Sequence, residues 1–319
     1  MKCRKGSYAT GLLGVAILAG AQVLTYFRVE PFFSWFYSFA WWSYILIADS
    51  VVQCLEGRSL IRNRPREFWM LVPWSVTCWL IFELFNLALK NWQYVNVPPE
   101  VWLRWPGYVL AYSTVLPGIL ETFDLLNALG LFRTIRPRKL TQGSGWRKPC
   151  FALGLLSTVL AVVWPRYCFP LVWAGPTLIL EPLVHALEGD SLIRRWQQAG
   201  IRPILNLLCA GAVCGLLWEF WNFWAGAKWK YTVPFVGHWK VFEMPILGFL
   251  GFPPFALECF VMVSAIKLFY TWASKPSGEP ECSNVRRVLS TGVAALGNVL
   301  FWVFSFYQID THTIVSFGS

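Results

Sequence analysis

Glu83 and Glu219 each precede an asparagine by three residues, Asn86 and Asn222, which puts acid and amide on one helix face. Glu121 and Glu258 each follow a proline by four residues, Pro117 and Pro254. Trp92 and Tyr94 come after the first of these acids, as Trp229 and Tyr231 come after Glu219, and Trp218 and Trp221 flank Glu219 itself. All four glutamates fall in long apolar segments, where an ionisable group is expensive and marks a functional site by default. A carboxylic acid kept from water can hold its proton at neutral pH and deliver it to an alkene as a general acid. Aromatic faces can stabilise the resulting cation, and a second carboxylate can remove the final proton. The expected catalytic set is therefore Glu258, Glu219, Glu121 and Glu83, with Glu258 or Glu219 as the acid. Asn222, Asn86, Trp218, Trp221, Trp229, Tyr231, Trp92 and Tyr94 are expected to contact substrate. The plainer alternatives are polar glue between helices for the acids and an interfacial belt for the aromatics.

These residues recur because the chain repeats itself. Leu55-Glu56-Gly57-Arg58-Ser59-Leu60-Ile61-Arg62 returns as Leu187-Glu188-Gly189-Asp190-Ser191-Leu192-Ile193-Arg194. Glu83-Leu84-Phe85-Asn86 returns as Glu219-Phe220-Trp221-Asn222, Trp92-Gln93-Tyr94 as Trp229-Lys230-Tyr231, and Pro117 and Glu121 as Pro254 and Glu258. The order is preserved, which points to duplication. Asp49 and Glu181 form a further recurring pair, read as structural because Arg-rich loops lie close by. Gly57 and Gly189 are expected to anchor tight turns in those loops.

The second copy, Glu219…Trp229-Lys230-Tyr231…Pro253-Pro254-Phe255-Ala256-Leu257-Glu258-Cys259-Phe260, resembles the lycopene cyclase-type membrane domain and related integral-membrane terpene cyclases and carotenoid hydratases. The first copy, Glu83…Trp92-Gln93-Tyr94…Pro117-Gly118-Ile119-Leu120-Glu121-Thr122-Phe123, resembles it in the same way. The likeness covers the last two helices of each unit. The family usually has Asp at the positions of Glu83 and Glu219, and a paired Glu-Glu where this chain has a lone Glu. The resemblance implies tandem helical units, no metal, and proton-initiated chemistry on an isoprenoid: cyclisation, isomerisation or hydration. No redox cofactor is needed for a net isomerisation, and the partner would be a hydrophobic lipid entering from the bilayer. The alternative is a proton-coupled transporter or flippase built from parallel repeats.

Composition sets the stage for both. The 319 residues are 56% hydrophobic and only 14% charged, with a mean hydropathy of +0.48, which excludes a soluble enzyme, a disordered chain and a nucleic-acid binder. The net charge of +10 sits in short loops between apolar blocks and reads as a topology signal. Three histidines, His185, His238 and His312, stand too far apart for a His-rich metal cluster. The nine cysteines include no CxxC pair and show no evident disulfide framework.

The fold class expected is an all-α polytopic membrane protein of about nine helices: two tandem four-helix repeats in parallel orientation plus one extra helix. The spans are roughly 10–27, 31–54, 68–89, 107–133, 150–166, 168–187, 203–225, 244–273 and 288–307. The first is read as a retained helix, although Ala19-Gly20-Ala21 resembles a signal cleavage site. The first repeat covers 1–133, a basic connector 134–149, the second repeat 150–274, a polar linker 275–287, and the ninth helix and tail 288–319. On this topology 20 of the 27 Lys and Arg residues share one side, which places the N-terminus in the cytoplasm and the C-terminus outside, in a bacterial inner or plasma membrane. Each fourth helix is expected to start near its proline, after a non-helical or re-entrant segment. All four glutamates would then lie at similar depth in the outer half.

Overall fold

A chain in hydrocarbon has no water to satisfy its backbone, so apolar stretches of this length become helices. The computed structural model describes residues 5–135, 138–141, 143–274 and 280–318. Met1–Arg4, part of the basic connector and residues 275–279 of the polar linker lie outside the described residues. The first half holds α1 (Lys5–Tyr26), α2 (Phe36–Glu56), α3 (Leu60–Asn63), α4 (Pro65–Leu89), α5 (Val101–Tyr112) and α6 (Val115–Ala128). The second holds α7 (Arg147–Val163), α8 (Pro165–Cys168), α9 (Gly175–Ala186), α10 (Leu192–Ala199), α11 (Arg202–Trp224) and α12 (Phe252–Ala273), and α13 (Pro280–His312) follows. The predicted linker is thus shortened, because α13 begins at Pro280.

Among the described residues, eight helical stretches are long and apolar enough to cross a membrane: Tyr8–Tyr26, Pro65–Leu89, Val101–Ala128, Ser144–Val163, Pro165–Ala186, Arg202–Trp224, Ile246–Ala273 and Val288–His312. α2 is not one of them, although it has 21 residues. Its Ser, Tyr and Trp residues make it less apolar, and it lies inside the bundle against α1, α5, α6 and α11. The core forms where α2, α4, α6, α11 and α12 meet. α11 and α12 approach closely at Gly211 and Gly215: a Cβ at Gly211 would stand 2.3 Å from the Phe252 carbonyl oxygen.

The fourth segments of the two halves differ. Pro117 has no N–H for the Ser113 carbonyl, so the helix breaks at Ser113-Thr114 between α5 and α6. Ser75 of α4 repairs the break, its hydroxyl donating to the Tyr112 carbonyl (2.6 Å) and accepting from the Leu116 N–H (3.0 Å). The expected non-helical lead-in is therefore absent in the first half, where α5 fills that stretch. In the second half a 3-10 segment, Ile246–Gly251, does precede the prolines at the start of α12.

At one end of the bundle, β1 (Trp92–Val95) pairs antiparallel with β2 (Lys228–Tyr231), joining the segments that follow α4 and α11. The tail adds isolated parallel bridges on the other edge of β1 and just beyond it, Tyr94 with Ile314 and Val97 with Phe317. A short hairpin of β3 (Lys240–Val241) and β4 (Met244–Pro245) lies next to it. At the opposite end, Asp49 accepts from the Ser59 hydroxyl (2.9 Å) and the Ile61 N–H (2.8 Å). Glu181 accepts from the N–H groups of Leu192 (3.0 Å) and Ile193 (2.8 Å). Both acids thus stitch loop to helix. Gly57, expected to anchor a tight turn, takes the left-handed conformation, whereas in the second loop Glu188, not Gly189, does so. Cys54 is disulfide-bonded, which the cysteine spacing did not signal.

Candidate active site

The β1–β2 ribbon positions the site. Strand side chains alternate, so Trp92 and Tyr94 point to one face, and pairing sets Tyr231 opposite Trp92 and Trp229 opposite Tyr94. Four aromatic side chains therefore share one face of the ribbon. They roof an apolar cavity of about 380 Å³ whose walls are Trp79, Trp218, Trp173, Phe252, Phe255 and Met244. Leu247 and Leu250 form its rim and are exposed on the apolar flank.

The polar ends of this aromatic shell lead to two buried acids. Glu83 accepts from Trp79 Nε1 (2.8 Å), from Trp92 Nε1 (3.2 Å to each oxygen) and from the Tyr94 hydroxyl (2.5 Å). Each of these partners is a hydrogen-bond donor, which suits a carboxylate. Glu219 is served differently: the Tyr231 hydroxyl donates to Oε1 (2.7 Å), and buried Oε2 has no close donor, the Trp229 indole being the other polar group beside the carboxyl. That oxygen has room for a proton. Burial, followed by the charge of the adjoining acid, raises the Tyr94 and Tyr231 phenols above their ordinary value, so both remain donors at neutral pH.

The asparagines, expected to contact substrate, neither line the cavity nor bond the carboxyl groups. Asn86 donates to the Trp92 carbonyl (2.8 Å) and accepts from the N–H groups of Asn91 (2.8 Å) and Trp92 (3.2 Å). Asn222 donates to the Trp229 carbonyl (2.9 Å) and accepts from its N–H (3.0 Å). The helix ends just before the ribbon, leaving backbone groups that an amide, donor and acceptor at once, can satisfy. Asn86 and Asn222 are thus ribbon anchors outside the cavity wall. Trp221 also stands apart, packed on Trp41 at 5.0 Å between ring centroids. Trp92, Tyr94, Trp218, Trp229 and Tyr231 do line the cavity.

Glu121 and Glu258 do not join the other acids. Glu121 is fully buried beside Asp49, and one turn further along α6 Asp124 pairs with Arg64 (2.8 Å) at the start of α4. Glu83 lies near the other end of α4, so the expected common depth is wrong for Glu121. The reason is α5, which occupies the outer part of that span. Glu258 is fully buried near Thr177 of α9, away from both ribbon acids. The nearest polar company of Glu121 is the Asp49 carboxylate, and that of Glu258 is the Thr177 backbone.

Trp79 was missed by sequence reasoning. It lies four residues before Glu83 on one helix face, a readable signal. The position that corresponds to it in the second half is Gly215, so a search for recurring residues passes over it. Among the described residues no group of three or more His, Cys, Asp or Glu is placed to hold a metal ion.

Fold and composition are those of an all-α integral membrane protein, here with an aromatic chamber set against buried acids. Compared with known proteins, the chain matches no family model, no curated protein and no solved structure.

Proposed function

We propose that the protein is a membrane enzyme that protonates a hydrophobic isoprenoid- or carotenoid-like lipid, leading to cyclisation, isomerisation or hydration. The observation that carries this reading is the 380 Å³ cavity whose indoles and phenols connect directly to Glu83 and Glu219. Glu219, whose Oε2 has no close donor, is the general acid. Its proton passes to an alkene carbon, and the cation that forms is held against the faces of Trp218, Trp229 and Trp92. Glu83, ringed by donors, is the counter-ion and the base that takes the final proton. Isomerisation or cyclisation leaves the atoms of the substrate balanced, and hydration adds one water. The exposed apolar rim at Leu247 and Leu250 fits a guest arriving from the bilayer. This is the chemistry that the resemblance to lycopene cyclase-type domains implies.

The two halves are read as a duplication in parallel orientation. α1 packs on α2 as α7 packs on α9, and α4 on α6 as α11 on α12. Asn86 and Asn222, Tyr94 and Tyr231, and Asp49 and Glu181 make corresponding hydrogen bonds. The strand register also fits a two-fold axis: Gln93 pairs with its own counterpart Lys230, and the flanking pairs exchange about it. The protein sits in a bacterial inner or plasma membrane, with the ribbon on the outer side and the N-terminus in the cytoplasm.

Mass spectrometry of lipid extracts from cells with the gene, without it, and with Glu219→Gln tests the enzyme reading. A lipid that appears only with the wild-type gene supports it, and identical extracts from all three overturn it. A second reading, a proton-coupled transporter, is favoured by Glu121 and Glu258, which are fully buried away from the cavity with no basic side chain bonded to either. A transporter would leave its cargo chemically unchanged.

A further inference from the structure

A second, smaller cavity of about 80 Å³ lies behind the wall formed by Trp79, Tyr94, Trp218 and Trp229, which it shares with the large one. The two chambers are built from corresponding positions. Where the large one has Phe169, Pro170 and Phe252, the small one has Tyr37, Ser38 and Val115. Unlike the large one, it is lined by charged side chains. The titratable and charged groups facing it are Arg104, Lys228 and four tyrosines, Tyr37, Tyr94, Tyr108 and Tyr112. Asp310 stands behind Arg104, which it holds at 2.6 Å, and accepts from the Tyr108 hydroxyl at 3.1 Å.

A directed chain of hydroxyl groups leaves this chamber. Tyr112 donates to Tyr94 (2.9 Å), and Tyr94 donates to Glu83 Oε1 (2.5 Å). Tyr108 stacks on Tyr112 with ring centroids 5.7 Å apart. A cavity of this size and polarity has room for a few water molecules. We infer that the small chamber is an aqueous antechamber through which protons enter and leave the site by way of Tyr112, Tyr94 and Glu83. This inference rests on the enzyme reading for its purpose, but its physical content stands alone. In the inward step, Glu83 gains the Tyr94 proton, Tyr94 gains the Tyr112 proton, and Tyr112 takes one from a hydronium ion in the chamber, which is left as water; the outward step reverses each transfer, clearing from Glu83 the proton it took from the cation and returning it to water as hydronium. The three bonds shift together, so no free tyrosinate is formed. The large chamber stays dry for the cation, and the two needs are met on opposite faces of one aromatic wall.

The test uses purified full-length protein in nanodiscs. Ala111 lines the small chamber, so Ala111→Cys puts a thiol there, and silver ion, small and strictly water-borne, is the probe. Free thiols are counted by denaturing titration after timed exposure. The introduced thiol is expected to react at least tenfold faster than buried native thiols such as Cys78. A thiol as slow as Cys78 overturns the antechamber. In the lipid-product assay, Tyr112→Phe is expected to lower turnover at saturating substrate at least tenfold with KM unchanged. Wild-type turnover in that variant overturns the relay. If no product forms in any sample the enzyme reading has failed, while the silver result still decides whether the chamber is wet.

Discussion

Glu83 and Glu219 occupy corresponding positions but keep different company, and their substitutions should differ accordingly. Glu219→Gln removes the only proton that Oε2 can carry, and product formation should fall at least a hundredfold. Tyr231→Phe removes one donor from Glu219 Oε1, and a charge-assisted bond is worth about 1.5–3 kcal/mol, or roughly ten- to a hundredfold in rate. Steady-state assay of extracted product checks both. The acids were legible in the sequence because they recur in apolar segments. Their division was not, because it depends on which indoles reach each carboxylate. Trp79 serves Glu83 alone, and the glycine at the matching position of α11 serves Phe252 instead. The amides were legible as important but misread in role: a spacing of three residues says that Asn86 and Glu83 share a face, not that they touch.

At the scale of elements, the ribbon depends on Asn86 and Asn222. Asn86→Ala leaves two N–H groups and one carbonyl without their side-chain partner, at a cost of about 1–3 kcal/mol for each group that stays unsatisfied. A lower apparent Tm in detergent, with the helical circular-dichroism signal retained below it, is the expected result. The packed helices make an equally local prediction. Gly211→Ala drives a methyl group into the Phe252 carbonyl and should destabilise the α11–α12 pair by about 1–3 kcal/mol. The ribbon also carries a pH signature. The Tyr94 and Tyr231 phenols are raised by burial and by the adjoining acids, so the unfolded chain loses these protons first, near the ordinary value of about 10. Their contribution is whole below that pH and is lost as pH rises through the higher folded values. Stability should therefore decline above about pH 10, and less steeply in the Tyr94→Phe/Tyr231→Phe double variant, as followed by thermal unfolding. The long apolar helices were readable from hydropathy, but not all their bounds: α9 and α12 begin at Gly175 and Phe252 rather than near 168 and 244, and α13 at Pro280 rather than 288. The ribbon was not readable, because four-residue strands between long apolar blocks leave no periodic trace, and neither was the Ser75 repair of the α5–α6 break.

For the molecule as a whole, α13 packs on α4, where Thr77 bonds Asn298 and Trp302, and is clasped near its C-terminal end by one buried ion pair. Arg104 is 5% exposed and grips Asp310 through two nitrogens at 2.9 and 2.6 Å, with Trp105 and Tyr108 also donating to the same carboxylate. Asp310→Ala leaves the guanidinium buried without its carboxylate, which should cost about 3 kcal/mol or more and loosen the C-terminal end of α13. Limited proteolysis should then cut within 300–318 in the variant before it cuts the wild-type protein. The sequence showed a ninth apolar segment but nothing of this clasp, since Arg104 and Asp310 lie 206 positions apart. The break between α5 and α6 was equally out of reach, and with it the separation of Glu121 from the ribbon acids.

Gln93 and Lys230 stand opposite each other on the ribbon face turned away from the aromatics. Directly opposed residues in an antiparallel pair have Cα atoms about 4.5–5.5 Å apart, within the span of a disulfide. A cysteine at each place would rivet the two halves together without touching an acid or an indole. A catalyst that works as a rigid vessel would run on undisturbed with the rivet closed, while a carrier that must rock one half against the other would stall until a reductant released it.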